Sequence, residues 1–408
     1  MTSTPEQGAE PILLAFSGGL DTSFCVPWLK ETYGRPVITV TVDTGGIDAA
    51  AAKSLAERSA RLGAVEHHLV DARAAYFDQV LKFLIMGNVR RGNVYPLCVG
   101  AERVLQAQTI AQMALSLKTR MVAHGCTAAG NDQVRFEVAL RTLAPELEII
   151  APVRDRAFKR PEQLKYLEEH KLPVPPFGAA YSVNRGLWGV TIGGKETLTS
   201  QGSIPDDAWV LSKDAFSHPR SPERHTIGFT QGVPDSLDGK RLSAVAIIEA
   251  LETLAGPFGI GRGIHLGDTV IGTKGRVAFE APAADVLLTA HRELEKLVLT
   301  GKQARIKETV AQPYGDLVHE GQHLDPVCRD IEALLLSSQT RVSGEVTVLF
   351  RPGSAFVEGV SSPHSLMAAS KGVYGESAGE WTPTDALGFS KMLALTGVFY
   401  KRAGAGKS

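Results

Sequence analysis

The sequence predicts an α/β protein that begins with a doubly wound, mostly parallel sheet and continues into an α+β domain. Between residues 11 and 152, short apolar segments alternate with helical segments at the spacing typical of a parallel sheet. Polar, glycine-containing loops follow three of these segments, and such sheets bind ligands beyond the carboxyl ends of their strands. The alternation ends at a proline-rich stretch, residues 171–178. A chain of 408 residues also exceeds the common size of a single core, so we expect more than one domain.

Apolar and β-branched runs mark the strands of the first part, and the segments between them have helical character. The predicted strands are residues 11–16, 37–42, 65–70, 121–123 and 147–152. The predicted helices are residues 24–31, 48–62, 72–86 and 101–117, with one more helix beginning near Asn131. Residues 1–10 are expected to be a frayed lead-in and residues 87–98 a loop.

The second part of the chain has a less regular pattern. Residues 181–210 are glycine-rich and are predicted to be irregular. The segments predicted after them are a strand at 223–229, helices at 245–254 and 285–299, and a hairpin at 346–360. The chain ends in an amphipathic helix at 383–400. Its apolar stripe packs either on its own domain or on another subunit, and the sequence leaves both possibilities open.

The composition is that of an ordinary soluble protein. Apolar residues make up 44% and charged residues 21%, with a formal net charge of −1. No block of Lys and Arg occurs, so we expect no nucleic acid and no membrane as partner. No apolar run is long enough to span a membrane, and the N-terminal segment is too polar for a signal peptide. The four cysteines are scattered without a Cys-x-x-Cys pair, which favours a reducing cytoplasm over a disulfide framework or a zinc ribbon.

The loop Ser17–Ser23 has the features of a phosphate-binding turn. It follows an apolar strand and precedes a helix, a geometry that directs backbone N–H groups at an anion. Its two glycines allow the backbone to approach that anion closely, and three residues add hydroxyl donors. A simple polar helix cap is the alternative. Several convergent donors directly after an apolar strand favour phosphate.

A second polar segment, His124–Glu137, also follows a strand. Thr127, Asn131, Asp132 and Arg135 offer a hydroxyl, an amide, a carboxylate and a guanidinium within a short distance. If a helix starts near Asn131, then Asn131 and Arg135 lie one turn apart on one face. Arginine suits the carboxylate of an amino-acid ligand, and aspartate suits its ammonium group. A capped helix with surface charges is the alternative, but it does not explain the glycine-bracketed loop.

These two segments resemble the corresponding motifs of the argininosuccinate synthase family. Residues 17–23 have the form shared by PP-loop ATPases, whereas residues 130–137 are far more specific to this family. The resemblance runs over most of the chain and includes residues 181–182, 259–262, 313–318, 343–346 and the C-terminal helix. It is strongest to a bacterial branch with Gly-Asp-Thr-Val-Ile-Gly, which stands at 267–272 here.

The resemblance implies a ligase of the PP-loop, or N-type ATP pyrophosphatase, superfamily. Such enzymes join citrulline and aspartate to argininosuccinate through a citrullyl-AMP intermediate, in arginine biosynthesis, and convert ATP to AMP and pyrophosphate. The implied domains are a nucleotide-binding PP-loop domain (1–172), a synthetase and multimerisation domain (173–382), and an oligomerisation helix with a disordered tail (383–408). The resemblance implies that ATP binds together with Mg²⁺ as a substrate. It implies no tightly bound cofactor and no metal site made by protein ligands. The implied assembly is a cytoplasmic homotetramer whose partners are small-molecule substrates.

The resemblance also implies roles for individual residues. The implied ATP-binding residues are Ala15, Phe16, Ser17, Gly18, Gly19, Leu20, Asp21, Thr22 and Ser23, with Val42 and Gly125 beside the adenine or ribose. The implied aspartate-binding residues are Thr127, Asn131 and Asp132. The implied citrulline-binding residues are Tyr95, Asn131, Arg135, Ser182 and Thr191, where Thr191 replaces the family's usual serine.

Three positions of the implied citrulline pocket depart from the better-known members. Gly100 stands where a serine is expected, Gly267 where a glutamate is expected, and Phe279 where a tyrosine is expected. The serine and tyrosine replacements each remove a hydroxyl group, at about 1 kcal/mol per lost hydrogen bond. Arg103 matches the family, and Asp268 is a candidate to supply the missing charge. An altered citrulline, N-acylated or smaller, therefore stands as an alternative substrate behind plain citrulline.

Two other functions compete with this ligase. A PP-loop enzyme that thiolates or amidates its substrate would be expected to have a cysteine pair, a basic surface or a glutaminase-type segment, and the sequence has none of these. A homologue that binds nucleotide or amino acid without turnover has only the changes at Gly100 and Phe279 in its favour.

Several further motifs are discounted. His319–His323 has the H-E-x-x-H pattern of zinc proteases, but a central glycine weakens a helix there and no third ligand follows, so we expect a surface turn. Residues 404–408 resemble the end of a Walker A loop without its first glycine, and residues 259–263 lack dinucleotide-binding spacing. His67-His68 is expected to be a half-buried strand pair, and Cys126 to have a packing role.

Overall fold

Five parallel strands form the first sheet, which confirms the predicted fold class. In the computed structural model, which describes residues 10–175 and 181–405, they are β1 (Ile12–Ala15), β2 (Val37–Asp43), β3 (Glu66–Asp71), β4 (Met121–His124) and β5 (Glu148–Ile150). Their order across the sheet is β3-β2-β1-β4-β5, and every neighbouring pair is parallel. The loops after β1, β2 and β4 therefore open on the same edge of the sheet.

Helices connect these strands, as the alternating pattern predicted. They are α1 (Leu20–Tyr33), α2 (Ala49–Arg61), α3 (Arg73–Tyr76), α4 (Lys82–Met86), α5 (Arg103–Ser116), α6 (Asn131–Leu143), α7 (Pro152–Asp155) and α8 (Arg160–Glu169). A π-helical turn at Phe77–Leu81 joins α3 to α4. Helix α1 begins earlier than predicted because Gly19 is extended and acts as its N-cap. The helix predicted to begin near Asn131 is confirmed.

Two antiparallel sheets form the second part of the chain. Their strands are β6 (Ser182–Gly186), β7 (Gly189–Gly193), β8 (Glu223–Thr230), β9 (Val233–Leu237), β10 (Lys240–Arg241), β11 (Arg262–Asp268), β12 (Lys274–Glu280), β13 (Gly344–Arg351) and β14 (Ser354–Ser361). One sheet has the order β11-β12-β7-β6 and the other β10-β9-β8-β13-β14. The remaining helices are α9 (Ala244–Ala255), α10 (Pro282–Val298), α11 (Gly301–Glu320), α12 (Pro326–Ser338), α13 (Leu366–Ala369) and α14 (Pro383–Gly404).

Two predictions for the second part are wrong. Residues 182–193 are not irregular but form the β6–β7 hairpin; β6 was missed because its residues are mostly polar and exposed. His319–His323 is not a surface turn. His319 lies in the last turn of α11, Gly321 ends that helix with a left-handed backbone (φ +82°), and both histidines are buried. The interior Pro313 of α11 had hidden this helix in the sequence.

The two parts of the chain share a hydrophobic core. Leu13 of β1 faces a cluster that extends into the second part through Ile248 and Leu287. The neighbouring positions Ile12 and Leu14 face the opposite side of the sheet, where α1 covers them. This continuous core fixes the second part against one face of the parallel sheet.

The loop after β2 makes a close backbone contact with the second part. The Leu187 N–H, at the β6–β7 turn, donates to the Thr44 carbonyl at 2.9 Å. Gly45 has φ +108°, and a Cβ there would lie 2.3 Å from the Leu187 nitrogen. The approach therefore requires glycine at this position.

The C-terminal arm, which we define as residues 366–405, is almost wholly exposed, and its long helix α14 does not pack on its own domain. Helices α13 and α14 contain no buried residue. The exposed fractions of Phe389, Met392 and Leu393 are 68%, 68% and 70%. The sequence left open whether this apolar stripe packs on its own domain or on another subunit; the described residues exclude the first.

Some expectations lie outside the described residues. These are the frayed lead-in at residues 1–9, the last part of the proline-rich stretch at 176–178, and the tail at 406–408. Within residues 10–175 and 181–405, no helix has both the length and the apolar character that a membrane crossing requires.

Replacing Gly45 with alanine tests the contact between the β2 loop and the β6–β7 turn. Alanine at φ +108° is strained, and its Cβ would overlap the backbone of Leu187. We expect Gly45→Ala to lower the free energy of unfolding by about 3 kcal/mol or more. The matched control is Gly34→Ala at the end of α1, where φ is +63° and no atom lies within 4 Å of the new Cβ. That variant should lose only about 1 kcal/mol. Urea unfolding measures both, and equal losses would contradict the close approach.

Candidate active site

The loop between β1 and α1 presents the donors predicted for phosphate. Gly18 has φ +72°, and a Cβ there would lie 2.4 Å from Leu55 Cδ2, so the backbone takes a path that only glycine allows. Gly19 is the N-cap of α1 and has no side chain to occupy the first N–H groups of the helix. The hydroxyls of Ser17 and Thr22 are 3.2 Å apart. We call these groups at the N-terminus of α1 the cradle, and an arrangement of this kind favours an anion.

The loop after β4 lies directly beside this cradle. His124 pairs with Ala15 across the sheet, and a Cβ on Gly125 would lie 2.9 Å from Thr22 Cγ2. Burial, helped by the charge of Arg154, lowers the pKa of His124 to about 4. A neutral His124 and a Gly125 without a side chain thus border residues 17–23. Val42, the other residue expected beside adenine or ribose, lies near the end of β2 and is buried.

The carboxylate of Asp132, in the first turn of α6, lies between two guanidiniums. Arg103 Nε donates to Oδ2 at 2.9 Å, and Arg135 Nη1 donates to Oδ1 at 2.7 Å. Burial acts to raise the pKa of Asp132, but the two arginines outweigh it and lower the pKa to about 2. The side chain keeps an exposed fraction of 37%. It is therefore an ionised carboxylate that is still accessible from outside.

Charged side chains of alternating sign follow one another here, and we call them the charge row: Arg135, Asp132, Arg103 and Glu102. Glu102 lies on the side of Arg103 that faces away from Asp132. Its exposed fraction is 2%. Oε2 accepts the Gly100 N–H at 3.0 Å, and Oε1 lies 3.2 Å from Arg103 Nη1. The sequence did not single out Glu102; the only available signal was its position next to Arg103. A buried carboxylate is costly unless paired, so its partners Gly100 and Arg103 are held firmly.

Arg135 connects the charge row to α11. Its Nε donates to the His319 carbonyl at 2.7 Å, and its Nη2 lies 3.3 Å from His319 Nδ1. Arg91 Nη1 approaches the other ring nitrogen, Nε2, at 3.0 Å. Burial together with these two guanidiniums lowers the pKa of His319 to about 3. His319 is thus a neutral residue between two cations, a site residue that the sequence had assigned to a surface turn.

The absence of a side chain at Gly100 has a steric reason that the sequence did not reveal. Its φ is +103°, and a Cβ there would lie 2.9 Å from Arg135 Nη1. The missing serine is therefore not simply a lost hydroxyl group. The guanidinium of Arg135 occupies the space beside the bare glycine, and a larger residue would have to displace it.

Three rings, those of Tyr95, His265 and Phe279, pack together near Arg135, and we call them the aromatic wall. Tyr95 stacks on His265 with ring centres 5.5 Å apart and contacts Phe279 edge-on at 5.2 Å. The Tyr95 hydroxyl donates to the Val99 carbonyl at 2.9 Å, and burial raises its pKa. Phe279 pairs with Thr191 across β12 and β7. Tyr95, Phe279 and Thr191 are thus brought together as expected.

Gly267 lies beside His265 rather than beside a carboxylate. A Cβ on Gly267 would lie 2.6 Å from His265 Nε2, a buried nitrogen without a hydrogen-bond partner among the described residues. Asp268, the candidate for the missing charge, has an exposed fraction of 60% and pairs with Lys274. Only its carbonyl turns toward the site, where it accepts from Arg91 at 2.8 Å.

The remaining predicted residues lie around this centre. The Asn131 side-chain oxygen accepts the Val270 N–H at 3.0 Å, which attaches α6 to the β11–β12 turn. Thr127 is exposed in the loop before α6. Ser182 is exposed at the start of β6 and has no side-chain hydrogen bond to a described residue. The structure thus brings together the charge row and the aromatic wall, while Ser182 stands apart from their contacts.

Comparison with known proteins decides the family. The model described as "Arginosuccinate synthase N-terminal HUP domain" matches residues 11–173, and "Arginosuccinate synthase C-terminal domain" matches residues 181–400. The chain belongs to the argininosuccinate synthase family. The argininosuccinate synthase of Xanthomonas campestris pv. campestris is 41% identical over 399 residues, covering 96% of this chain and 98% of that protein. The argininosuccinate synthase of Pyrobaculum aerophilum is 39% identical over 393 residues, covering 95% and 97%.

Membership of the argininosuccinate synthase family confirms the recognition made from residues 17–23 and 130–137. It also confirms the prediction of an ATP-using C–N ligase, since the family joins its substrates through a C–N bond. Nothing in these similarities favours a thiolating or amidating enzyme, or a homologue without turnover.

The discounted motifs have structural roles in this family member. His323 lies 3.2 Å from Glu332 Oε1, and the carboxylate also accepts from Tyr314 at 2.9 Å. His67 and His68 are a half-buried strand pair, as predicted. Burial raises the pKa of Cys126 to about 12, so the thiol stays protonated in accord with a packing role.

The pH dependence of stability tests whether His319 is held neutral. An unfolded histidine binds a proton below about pH 6.5, whereas folded His319 has a pKa of about 3. The contribution of His319 to the free energy of unfolding is therefore complete above the pKa of the unfolded state. It is lost as the pH falls toward the pKa of the folded state. For His319→Gln, we expect the loss of unfolding free energy between about pH 7 and about pH 5 to be smaller by up to about 2 kcal/mol.

Urea unfolding at the two pH values gives this difference. The matched control is the exposed His364→Gln, which should leave the pH dependence unchanged. If His319→Gln and the unaltered protein lost the same free energy, His319 would not be held neutral between the two arginines.

Proposed function

We propose that this chain is an argininosuccinate synthase that ligates citrulline and aspartate at the expense of ATP. The observation that carries the proposal is the position of Asp132, an ionised carboxylate between Arg103 and Arg135. It lies in the helix that follows the β4 loop, and Gly125 of that loop borders Thr22. One edge of the sheet thus offers a grip for phosphate, a carboxylate for an ammonium group and guanidiniums for a carboxylate. These are the groups that the three substrates require.

The first step is adenylation of the ureido group. Residues 15–23 bind the β- and γ-phosphates of Mg²⁺-ATP, with adenosine beside Val42 and Gly125. The ureido oxygen attacks the α-phosphorus, the bond to the bridging oxygen breaks, and pyrophosphate leaves. This converts a poor leaving group into a good one. Because the loop holds the two outer phosphates, the acceleration comes from positioning and from stabilising charge.

The second step joins aspartate to the activated carbon. The aspartate amine, in its neutral form, attacks the ureido carbon, the bond from that carbon to oxygen breaks, and AMP leaves with the bonding electrons. Loss of one N–H proton to solvent completes argininosuccinate. Thr127, Asn131 and Asp132 hold aspartate in this proposal. With a pKa of about 2, Asp132 is a weak proton acceptor, so it orients the ammonium group rather than serving as the base.

The aromatic wall and the charge row bind citrulline. Tyr95, Asn131, Arg135 and Thr191 contribute in this proposal, with Ser182 joining from β6. In this proposal Arg103 also borders the aspartate site, because it contacts Asp132. Gly100, Gly267 and Phe279 shape the pocket, and Asp268 faces it only through its carbonyl. Arginine biosynthesis in the cytoplasm is the proposed setting, and the domain boundaries at 172 and 382 stay part of the proposal.

A coupled product assay tests the reaction. The protein is incubated with Mg²⁺-ATP, citrulline and aspartate, and the nucleotide and phosphate products are separated. We expect AMP and pyrophosphate in equal amounts, both dependent on citrulline and aspartate. Release of ADP and phosphate would contradict adenylation. Turnover with N-acetylcitrulline but not with citrulline would overturn the choice of substrate.

A variant of Asp132 tests the proposed aspartate site in the same assay. Asp132→Asn keeps the shape of the side chain but removes its charge, so we expect the KM for aspartate to rise by about tenfold or more. The KM for ATP should change by no more than about twofold, because the phosphate grip is a separate loop. The matched control is Asp316→Asn, an exposed carboxylate on α11 next to Arg91. Equal weakening of ATP and aspartate would contradict the role given to Asp132.

The proposed assembly is a homotetramer held together by the C-terminal arm. An isolated amphipathic helix with its large apolar side chains in water is only marginally stable. In α14 the apolar side chains include Leu387, Phe389, Met392 and Leu393, each at least half exposed. Packing of this stripe on another copy would bury them and stabilise the helix.

Charge substitution on the arm tests this assembly without shortening the chain. Phe389→Asp combined with Leu393→Asp places two carboxylates on the apolar stripe, so we expect the particle mass to fall from four chains to fewer. Light scattering coupled to gel filtration measures the mass. The control Lys391→Asp alters an exposed polar position of the same helix and should keep the tetramer. An unchanged mass in the double variant would exclude the arm as the contact.

A further inference from the structure

The phosphate loop has no positive charge of its own. Residues 17–23 offer backbone N–H groups and hydroxyls, and their only charged side chain is the acidic Asp21. The phosphates of ATP carry several negative charges, and P-loop enzymes meet them with a lysine in the loop as well as with Mg²⁺. A cation that completes this cradle must therefore come from another element.

Arg58 of α2 is the cation that reaches the loop. Its Nη1 donates to the Gly18 carbonyl at 2.5 Å. Within residues 10–175 and 181–405, no other Lys or Arg side chain is hydrogen-bonded to residues 17–23. In the same ranges Arg58 forms no ion pair with a carboxylate. No carboxylate of the described residues therefore neutralises its charge.

The side chain is held in place by the packing of α2 against the loop. Leu55, one turn before Arg58, fills the space where a Cβ on Gly18 would lie, at 2.4 Å. Arg58 Nη1 is 3.5 Å from the same point. The absence of a side chain at Gly18 therefore serves two purposes. It permits the turn of the loop, and it admits the guanidinium to the loop backbone.

The contact also orients the peptide between Gly18 and Gly19. The Gly18 carbonyl accepts from Arg58 and, at 3.4 Å, from the Ser23 hydroxyl. Because a trans peptide is planar, its carbonyl and its N–H point in opposite directions. Fixing the carbonyl toward α2 thus turns the Gly19 N–H away from α2 and toward Ser17, whose Oγ accepts it at 3.4 Å.

We propose that Arg58 is the cationic positioning residue of the phosphate grip, which orients the Gly18–Gly19 peptide and offsets charge on the pyrophosphate part of ATP. This inference rests on the proposed function of residues 17–23 as the site of the β- and γ-phosphates. It adds a residue from α2 that neither the motif nor the resemblance had assigned. The affinity for pyrophosphate should depend on Arg58, while the affinity for AMP should not.

Inhibition by the two products separates these contributions. For Arg58→Met, we expect the inhibition constant of Mg²⁺-pyrophosphate and the KM for ATP to rise about tenfold or more. The inhibition constant of AMP should stay within about twofold, because AMP lacks the outer phosphates. Arg58→Lys keeps the charge and should recover part of the pyrophosphate affinity. The matched control Arg61→Met, one turn further along α2 and exposed, should behave like the unaltered protein.

Two outcomes would overturn the inference. One is an inhibition constant for pyrophosphate that rises no more in Arg58→Met than in Arg61→Met. The other is equal weakening of AMP and pyrophosphate, which would indicate a general disturbance of the fold. If Arg58→Met does not fold, Arg58→Lys is used for the test. We then expect the inhibition constant of pyrophosphate to rise about threefold and that of AMP to stay unchanged.

Direct binding distinguishes a failure of this inference from a failure of the proposed function. If the unaltered protein released no AMP and pyrophosphate from its substrates, the proposed reaction would be wrong. Calorimetric titration with Mg²⁺-pyrophosphate would still compare Arg58→Met with the unaltered protein. Loss of pyrophosphate binding only in the variant would support the role proposed for Arg58, and equal binding by both proteins would contradict that role.

Discussion

The carboxylate of Asp132 lies between the guanidiniums of Arg103 and Arg135, and this contact organises the site. A carboxylate that receives charge-assisted hydrogen bonds from two sides stays ionised and fixed in place. Through Arg103 it is connected to the buried Glu102, and through Arg135 to His319 of α11. The row thus runs from the parallel-sheet domain into the second part of the chain. Its alternating charges balance each other, yet Asp132 stays accessible to a ligand.

The order of the strands brings the segment that carries this row next to residues 17–23. Strands β1 and β4 are neighbours, so the loops that follow them touch at Thr22 and Gly125. The second part of the chain then closes over the same edge. The β6–β7 turn contacts the loop after β2, the β11–β12 turn contacts Asn131, and α11 delivers His319. A shared hydrophobic core holds these turns and α11 in place, so the site depends on both parts of the fold.

Contiguous motifs were predictable from the sequence, and contacts between distant segments were not. Residues 17–23 and 130–137 carry their chemistry within one loop and one helix turn, so local patterns were sufficient. Glu102, His319 and Arg58 enter the site only through packing of helices that are remote in sequence. At Gly100 the sequence indicated a lost hydroxyl group. The structure shows that the guanidinium of Arg135 takes the adjacent space, a coupling that no single position reveals.

In the proposed mechanism, this edge of the sheet transfers AMP to a ureido oxygen before an amine displaces it. Citrulline that carries heavy oxygen in its ureido group tests this most directly, with the products analysed by mass spectrometry. We expect the heavy oxygen in the phosphate of AMP, because the bond between carbon and that oxygen breaks in the second step. Heavy oxygen in pyrophosphate, or AMP without the label, would contradict it.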